Sequence, residues 1–343
     1  MANLTQASRE LFSRPPDERF ESVDELLRHC QSLRQSSTDR WQLPQTFRPS
    51  ANADRLVLAL GDDGAFHLNP GAPGFTQLCG MAGIAKETIN RLSPETASRA
   101  LQETLPTADK PVQILTMDHS IRSIHGVSYT RLWNEELLRM VRDVAVDFQP
   151  PPKGFNGATG LYCGEQDMFL FMIDPTGWTE IGGQNFAPGF FGWNSEVGRR
   201  SIGVTTFWYQ SVCANHICWQ CADVTTVTRK HTRSVGDALT EIRVAINQLV
   251  DKRDAARDQF VATIRKAMNE PTGDKEETLH ILADHGINRP LAKKAVELAA
   301  SRGQRFTIWS VVDALTQLSR DSKYAASRVE ADQRASALLA LAA

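Results

Sequence analysis

The run Asp167-Met168-Phe169-Leu170-Phe171-Met172-Ile173 constrains this chain most, because it is apolar on both alternating faces. A strand built this way needs cover on both sides, so it predicts the middle of a sheet sandwiched between other elements. Residues 202–213 (Ile-Gly-Val-Thr-Thr-Phe-Trp-Tyr-Gln-Ser-Val-Cys) are rich in β-branched and aromatic types and predict a second strand; Val224 to Arg229 predicts a third. A long amphipathic stretch follows from Val235 to Met268, with Leu239, Ile242, Ile246, Leu249, Phe260 and Ile264 on one stripe. As one helix it would be about 50 Å long, enough to lie across a sheet. The expected class is α+β, an antiparallel sheet backed by a long helix, with helical N-terminal and C-terminal segments.

Punctuation along the chain suggests three regions. Residues 1–50 read as helices over 2–13 and 22–36 followed by a polar linker, Ser36 to Asp54; Ser22 and Glu25 have the spacing of a capping box. Residues 51–270 read as the α+β core. Within it, strands at 55–60 and 66–68 flank the turn Gly61-Asp62-Asp63-Gly64, and Ser93-Pro94-Glu95 starts a helix. Val112 to Met117 is a further strand, and Trp133 to Val146 is a helix stopped by Pro150-Pro151-Pro152. Pro271-Thr272-Gly273-Asp274 then separates a C-terminal appendage, 271–343, expected to hold three or four short helices.

Lys and Arg total 38 against 40 for Asp and Glu, so a net charge of -2 supplies no global field toward a polyanion. No apolar run reaches the length of a membrane helix and the N-terminus has no apolar signal core, so the expectation is a cytoplasmic protein without a membrane partner. The six cysteines are too few for a disulfide framework in 343 residues. Cys213, Cys218 and Cys221 have a C-x4-C-x2-C spacing with His216 and His231 nearby, but a fourth cysteine ligand is missing. No metal and no cofactor is expected. Walker, dinucleotide, nucleophile-elbow and zincin signatures are absent.

The most informative segment is 182–200, where five glycines interleave with Phe186, Phe190, Phe191 and Trp193 before Arg199-Arg200. Aromatic faces stack on bases and arginines neutralise phosphates, whereas the competing reading is a hairpin whose aromatics pack in a core. Between Glu196 and Arg233, five basic residues face two acidic ones. If Arg229 and Lys230 lie beside Arg199 and Arg200, a cationic strip results. The candidate nucleic-acid-binding set is therefore Phe190, Trp193, Asn194, Arg199, Arg200, Arg229, Lys230, His231 and Arg233.

Asn194-Ser195-Glu196-Val197-Gly198, Val212-Cys213-Ala214-Asn215 and Arg229-Lys230-His231-Thr232, with Tyr129-Thr130-Arg131-Leu132-Trp133-Asn134 and Gly160-Leu161-Tyr162 before them, resemble the family catalogued as domain of unknown function 932. That resemblance implies a phage- or plasmid-type setting and no established chemistry. The strand-strand-strand-helix order of 160–268 is also similar to the core of single-strand annealing proteins, a likeness of fold alone. Three functions follow as expectations. One is an accessory protein binding single-stranded nucleic acid in recombination or annealing, with a homo-oligomer open. Another is a metal-dependent hydrolase around Glu165, Asp167, Glu196 and His231, with Asp118-His119 and His125 as further acid–base candidates. The last is an interaction protein, an anti-defence factor, acting through its helical C-terminus.

Overall fold

The structure is a computed structural model that describes residues 17–53, 55–61, 64–152, 159–210, 217–219, 225–251, 253–303, 305–319, 322 and 324–342. The chain begins with β1 (Glu18–Arg19), α1 (Val23–Gln35), β2 (Ser37–Gln42), β3 (Phe47–Asn52), β4 (Arg55–Leu60) and β5 (Ala65–His67). Next come α2 (Pro73–Met81), α3 (Lys86–Ile89), α4 (Pro94–Thr104), β6 (Val112–Met117), β7 (Ser120–His125) and α5 (Asn134–Val144). The strands β8 (Leu161–Cys163), β9 (Met168–Ile173), β10 (Thr179–Ile181), β11 (Gln184–Asn194), β12 (Ile202–Gln210), β13 (Ile217–Trp219) and β14 (Thr226–Arg229) follow. Six helices or turns close the chain: α6 (Ala238–Asp251), α7 (Arg253–Asn269), α8 (Lys275–Asp284), α9 (Arg289–Ser301), α10 (Ile308–Ser319) and α11 (Ala325–Ala337).

The expected α+β class holds, with two sheets rather than one. The larger sheet has the order β1-β8-β9-β11-β12-β13, with β10 beside β11 and β14 beside β12. All residues of β9 and β12 are buried, as strands apolar on both faces require. On one face Leu170, Met172, Phe190, Ile202 and Val204 pack with Leu26, Leu137, Val141 and Ile242 from α1, α5 and α6. On the other, Phe169, Phe171, Phe191, Phe207 and Tyr209 form an aromatic layer, with the Phe171 and Phe191 rings 5.4 Å apart.

The smaller sheet has the order β2-β6-β7-β5-β4-β3, antiparallel except for the β5–β7 pair, and packs on α2, α3 and α4 through Phe75, Leu78, Ile89, Ala97 and Leu101. Its two edge strands, β2 and β3, are joined directly by residues 43–46. Five residue steps reach at most about 17 Å, whereas a flat sheet of six strands would separate its edges by about 24 Å. The sheet is therefore curled. The expected linker at 36–54 is thus mostly strand, and a boundary at residue 50 falls inside β3. Polar composition misleads here because edge strands tolerate it: β2 and β3 each hydrogen-bond on one side only in this sheet.

Ser22 caps α1 by accepting from the Glu25 amide, and Ser93 caps α4 by accepting from Thr96, as their spacing predicts. The expected helix over 2–13 lies outside the described residues. Asp118-His119 forms the two-residue turn between β6 and β7, with Asp118 at φ 50°, so this pair serves chain reversal.

Of the long helix expected over 235–268, residues 238–251 (α6) and 253–269 (α7) are helical, and the two stretches bury themselves in different cores. Ile242 and Ile246 of α6 join the α1–α5 layer, while Phe260 and Ile264 of α7 join the C-terminal helices. Those helices are tied to the large sheet: Phe186 of β11 lies 5.7 Å from the Trp309 ring, and Trp208 of β12 stacks on Phe260 at 4.4 Å. The C-terminal region is helical as expected, and it shares its core with the sheet.

Gly189, in the middle of β11, marks where strand packing is tightest. A Cβ there would lie 2.3 Å from the Met172 carbonyl oxygen and 3.0 Å from the Phe207 ring. The obstacle is neighbouring backbone and cannot rotate away. Gly189→Ala is expected to lose about 3 kcal/mol in urea unfolding, and a loss under about 1 kcal/mol would contradict this packing.

Candidate functional site

Three stretches distant in sequence, 129–134, 194–198 and 231, meet where β11 ends against the smaller sheet. Asn194 closes β11 fully buried, and its amide nitrogen donates to the Leu132 carbonyl (2.8 Å) and to Asn134 Oδ1 (2.9 Å). Ser195 Oγ donates to the Gln166 carbonyl (2.6 Å) and accepts from the Arg199 amide (2.9 Å), which turns the chain toward β12. Gly198 completes the turn at φ 72°, and a Cβ on it would lie 2.4 Å from the His125 ring. Glycine is required there by both conformation and space.

Glu196 is 3% exposed. Its Oε1 accepts from the Asn134 amide at the start of α5 (2.9 Å), a helix end that favours negative charge, and its Oε2 lies 3.5 Å from Arg122 Nη1. Burial still raises its carboxyl pKa, against the pull of Arg122, the Asn134 amide and Arg131. The Glu196 carbonyl accepts from Tyr129 Oη (3.0 Å) and from Arg131 Nη1. Arg131, with a side chain 2% exposed, also donates to both oxygens of Asp39 at 2.9–3.2 Å and lies over the Tyr129 and Trp133 rings.

The Tyr129 ring stacks with two imidazoles, His125 at 3.7 Å and His231 at 5.4 Å. Burial lowers both histidines to a pKa of about 4, helped by the nearby Arg131 cation, so both rings are neutral at pH 7. The Thr130 amide donates to the His231 carbonyl at 3.1 Å, which fastens this segment to the same junction.

Those contacts decide what the hydrolytic candidates do. Glu196 is committed to α5 and Arg122, Asp167 is buried in an ion pair with Arg200 (3.0 Å), His231 is buried, and Glu165 is exposed. Among the described residues no group of three His, Cys, Asp or Glu side chains could hold a metal ion. The Cys213, Cys218 and Cys221 cluster lies outside the described residues, apart from the Cys218 backbone in β13.

The segment 182–200 is mainly a central strand, so its aromatics are core residues. Phe190 is fully buried 5.2 Å from Phe148 and has no face for a base; Asn194 and His231 belong to the junction. Trp193 differs. Its indole is partly exposed, rests 5.3 Å from Phe191, and lies across Gly203 so closely that a Cβ there would be 2.4 Å from Cζ2.

The basic residues do come together. β14 pairs with β12 in the register Ile202↔Arg229 and Gly203↔Thr228, which brings Arg229, Lys230 and Arg233 to the end of the sheet where Arg199 and Arg200 leave the turn. Thr228 Oγ1 donates to Ser201 Oγ at 2.9 Å across this gap. Two of the five cations are partnered: Arg200 with Asp167 and Glu330 (3.0 Å each), and Arg229 with Glu241 (2.7 Å). Arg199, Lys230 and Arg233 are exposed and have no ion pair among the described residues.

Arg122, His125, Tyr129 and Arg131 carry as much of the junction as residues 194–198, yet the chemistry of the residue types marked only His125, and that as an acid–base candidate. Only the resemblance singled out 129–134, and β7, the strand bearing Arg122 and His125, was missed. The fold and site define a mixed α+β protein in which two sheets join through a buried Arg–Glu–His–Tyr junction beside a cationic rim. Compared with known proteins, the chain matches no family model, no curated protein and no solved structure.

Proposed function

We propose that the protein binds single-stranded nucleic acid at the rim formed by Trp193, Arg199, Lys230 and Arg233, without covalent chemistry, as an accessory protein of phage or plasmid type. The observation that carries this reading is the β12–β14 register, which gathers basic residues 30 positions apart in sequence onto one end of the sheet. Three of them are free of acidic partners among the described residues, and the partly exposed Trp193 indole lies in the adjoining cross-strand row. Phosphates pair with the cations and a base stacks on the indole, a combination that tolerates any sequence. Arg200 and Arg229 hold the rim in shape through their carboxylate partners, and the buried junction fixes the turn that carries Arg199.

The two contributions separate experimentally in fluorescence anisotropy with a labelled oligonucleotide. Each phosphate contact on a single strand contributes about 0.7 to the slope of log affinity against log salt. Replacing Arg199, Lys230 and Arg233 together by Ala is expected to flatten that slope by about 2. Trp193→Ala is expected to weaken binding by about 1–3 kcal/mol with the slope unchanged. Wild-type protein that fails to bind at low salt sinks the proposal.

A further inference from the structure

Outside the rim and the junction, one cluster of nucleophilic groups stands out. Cys30 on α1 and Cys163 on β8 are buried in the same core layer, 0% and 2% exposed, where helix and strand pack together. The Cys163 thiol donates to the Gly164 carbonyl at 4.0 Å and is near enough to Cys30 and His29 for each to influence its ionisation. Glu18 is the register partner of Cys163 on β1, and its carboxylate lies 3.8 Å from His29 Nδ1. The imidazole, 26% exposed and 4.9 Å from the Phe20 ring, forms the solvent-facing side of the cluster. Thiol, imidazole and carboxylate thus gather as a nucleophile, its base and the group that orients the base, with a second thiol in the same helix-on-strand layer.

We propose that Cys163 and Cys30 form an oxidation site, in which hydrogen peroxide converts the two thiols into a reversible disulfide. Cys163 transfers its proton to His29 and attacks one peroxide oxygen. The S–O bond forms, the O–O bond breaks, and the departing hydroxide takes the proton from His29 as water. The resulting sulfenic acid is attacked by the Cys30 thiol: the S–S bond forms, the S–O bond breaks, and the hydroxyl leaves with the Cys30 proton as a second water. The balance is two thiols and one peroxide to one disulfide and two waters. A dithiol reductant reverses it.

The electrostatics suit this division of labour. Cys30 and then His29 lower the Cys163 thiol to a pKa of about 7 despite its burial, and the neighbouring Cys163 raises that of His29. Cys30 is raised by Cys163 and by burial, which keeps it a thiol until the sulfenic acid forms. Cys79, pushed up to about 12 by burial, is an internal control with no thiol neighbour among the described residues.

The test treats the folded, full-length protein with hydrogen peroxide at pH 7, blocks remaining thiols, and maps peptides without reduction. The expected product is a Cys30–Cys163 linked peptide, lost on dithiothreitol treatment, formed at least about tenfold faster than any change at Cys79. Cys30→Ser is expected to leave Cys163 as a sulfenic acid trapped by dimedone. His29→Gln is expected to slow oxidation roughly tenfold at pH 7 and to move its pH profile upward. A native protein that keeps both thiols, a cross-link seen only in denaturant, or linkage of either residue to Cys213, Cys218 or Cys221 overturns the proposal.

Discussion

Arg131→Ala is expected to destabilise the protein by about 3–5 kcal/mol, the range for removing one partner of a buried ion pair. The side chain is 2% exposed, and its guanidinium joins Asp39 of β2, the Glu196 carbonyl and the faces of Tyr129 and Trp133. Its loss leaves the buried Glu196 with less opposing charge and removes a link between the two sheets. Arg131→Lys keeps the charge but cannot bond both Asp39 oxygens and the carbonyl from one planar group, so an intermediate loss is expected. Urea unfolding of the three proteins measures this. A loss below about 1 kcal/mol for the alanine variant would show that the sheets are held together by other contacts.

The second large effect is a loss of stability on acidification. His125 and His231 titrate near 4 in the folded protein against 6.5 as the unperturbed value. Between these values the unfolded chain holds protons that the folded one does not, so stability falls as pH drops. The contribution is complete above about pH 6.5 and gone by about pH 4. For the buried His231 it amounts to about 3 kcal/mol, and the more exposed His125 adds less. Glu196 acts in the opposite sense: its raised pKa means the folded state takes up a proton first, which adds stability as pH falls through that value toward the unfolded one. His231→Phe keeps a ring beside Tyr129 and removes the titration, so its stability is expected to vary less between pH 6.5 and 4 than that of wild type. Equal slopes for the two proteins would refute the assignment.

Local composition carried much of the secondary structure. The run at 167–173, apolar on both faces, and the β-branched and aromatic run at 202–213 predicted the strands found at 168–173 and 202–210, and Ser22 and Ser93 announced their helices through side-chain caps. The edge strands β2 and β3 were illegible, because a strand that faces water on one side carries the polar residues of a linker. The two destinations of the stripe over 235–268 were equally hidden: a continuous apolar pattern does not say that its α6 half and its α7 half enter different cores.

The same division runs through the candidate site. Which residues are basic, aromatic or glycine is written in the chain, and the strip joining 199–200 to 229–233 was expected on condition that the strands lay side by side. Pairing met that condition, since a register between strands 16 or more residues apart is set by the faces each must bury. Pairing also removed Phe190 and Asn194 from the surface, because a central strand is covered on both faces, while His231 is buried beyond the end of β14 against Tyr129. Sequence alone determined the α+β class, the central strands and the stock of chemical groups. Tertiary structure alone decided which of those groups meet water and which meet one another, because burial and charge pairing arise between segments that no local window contains.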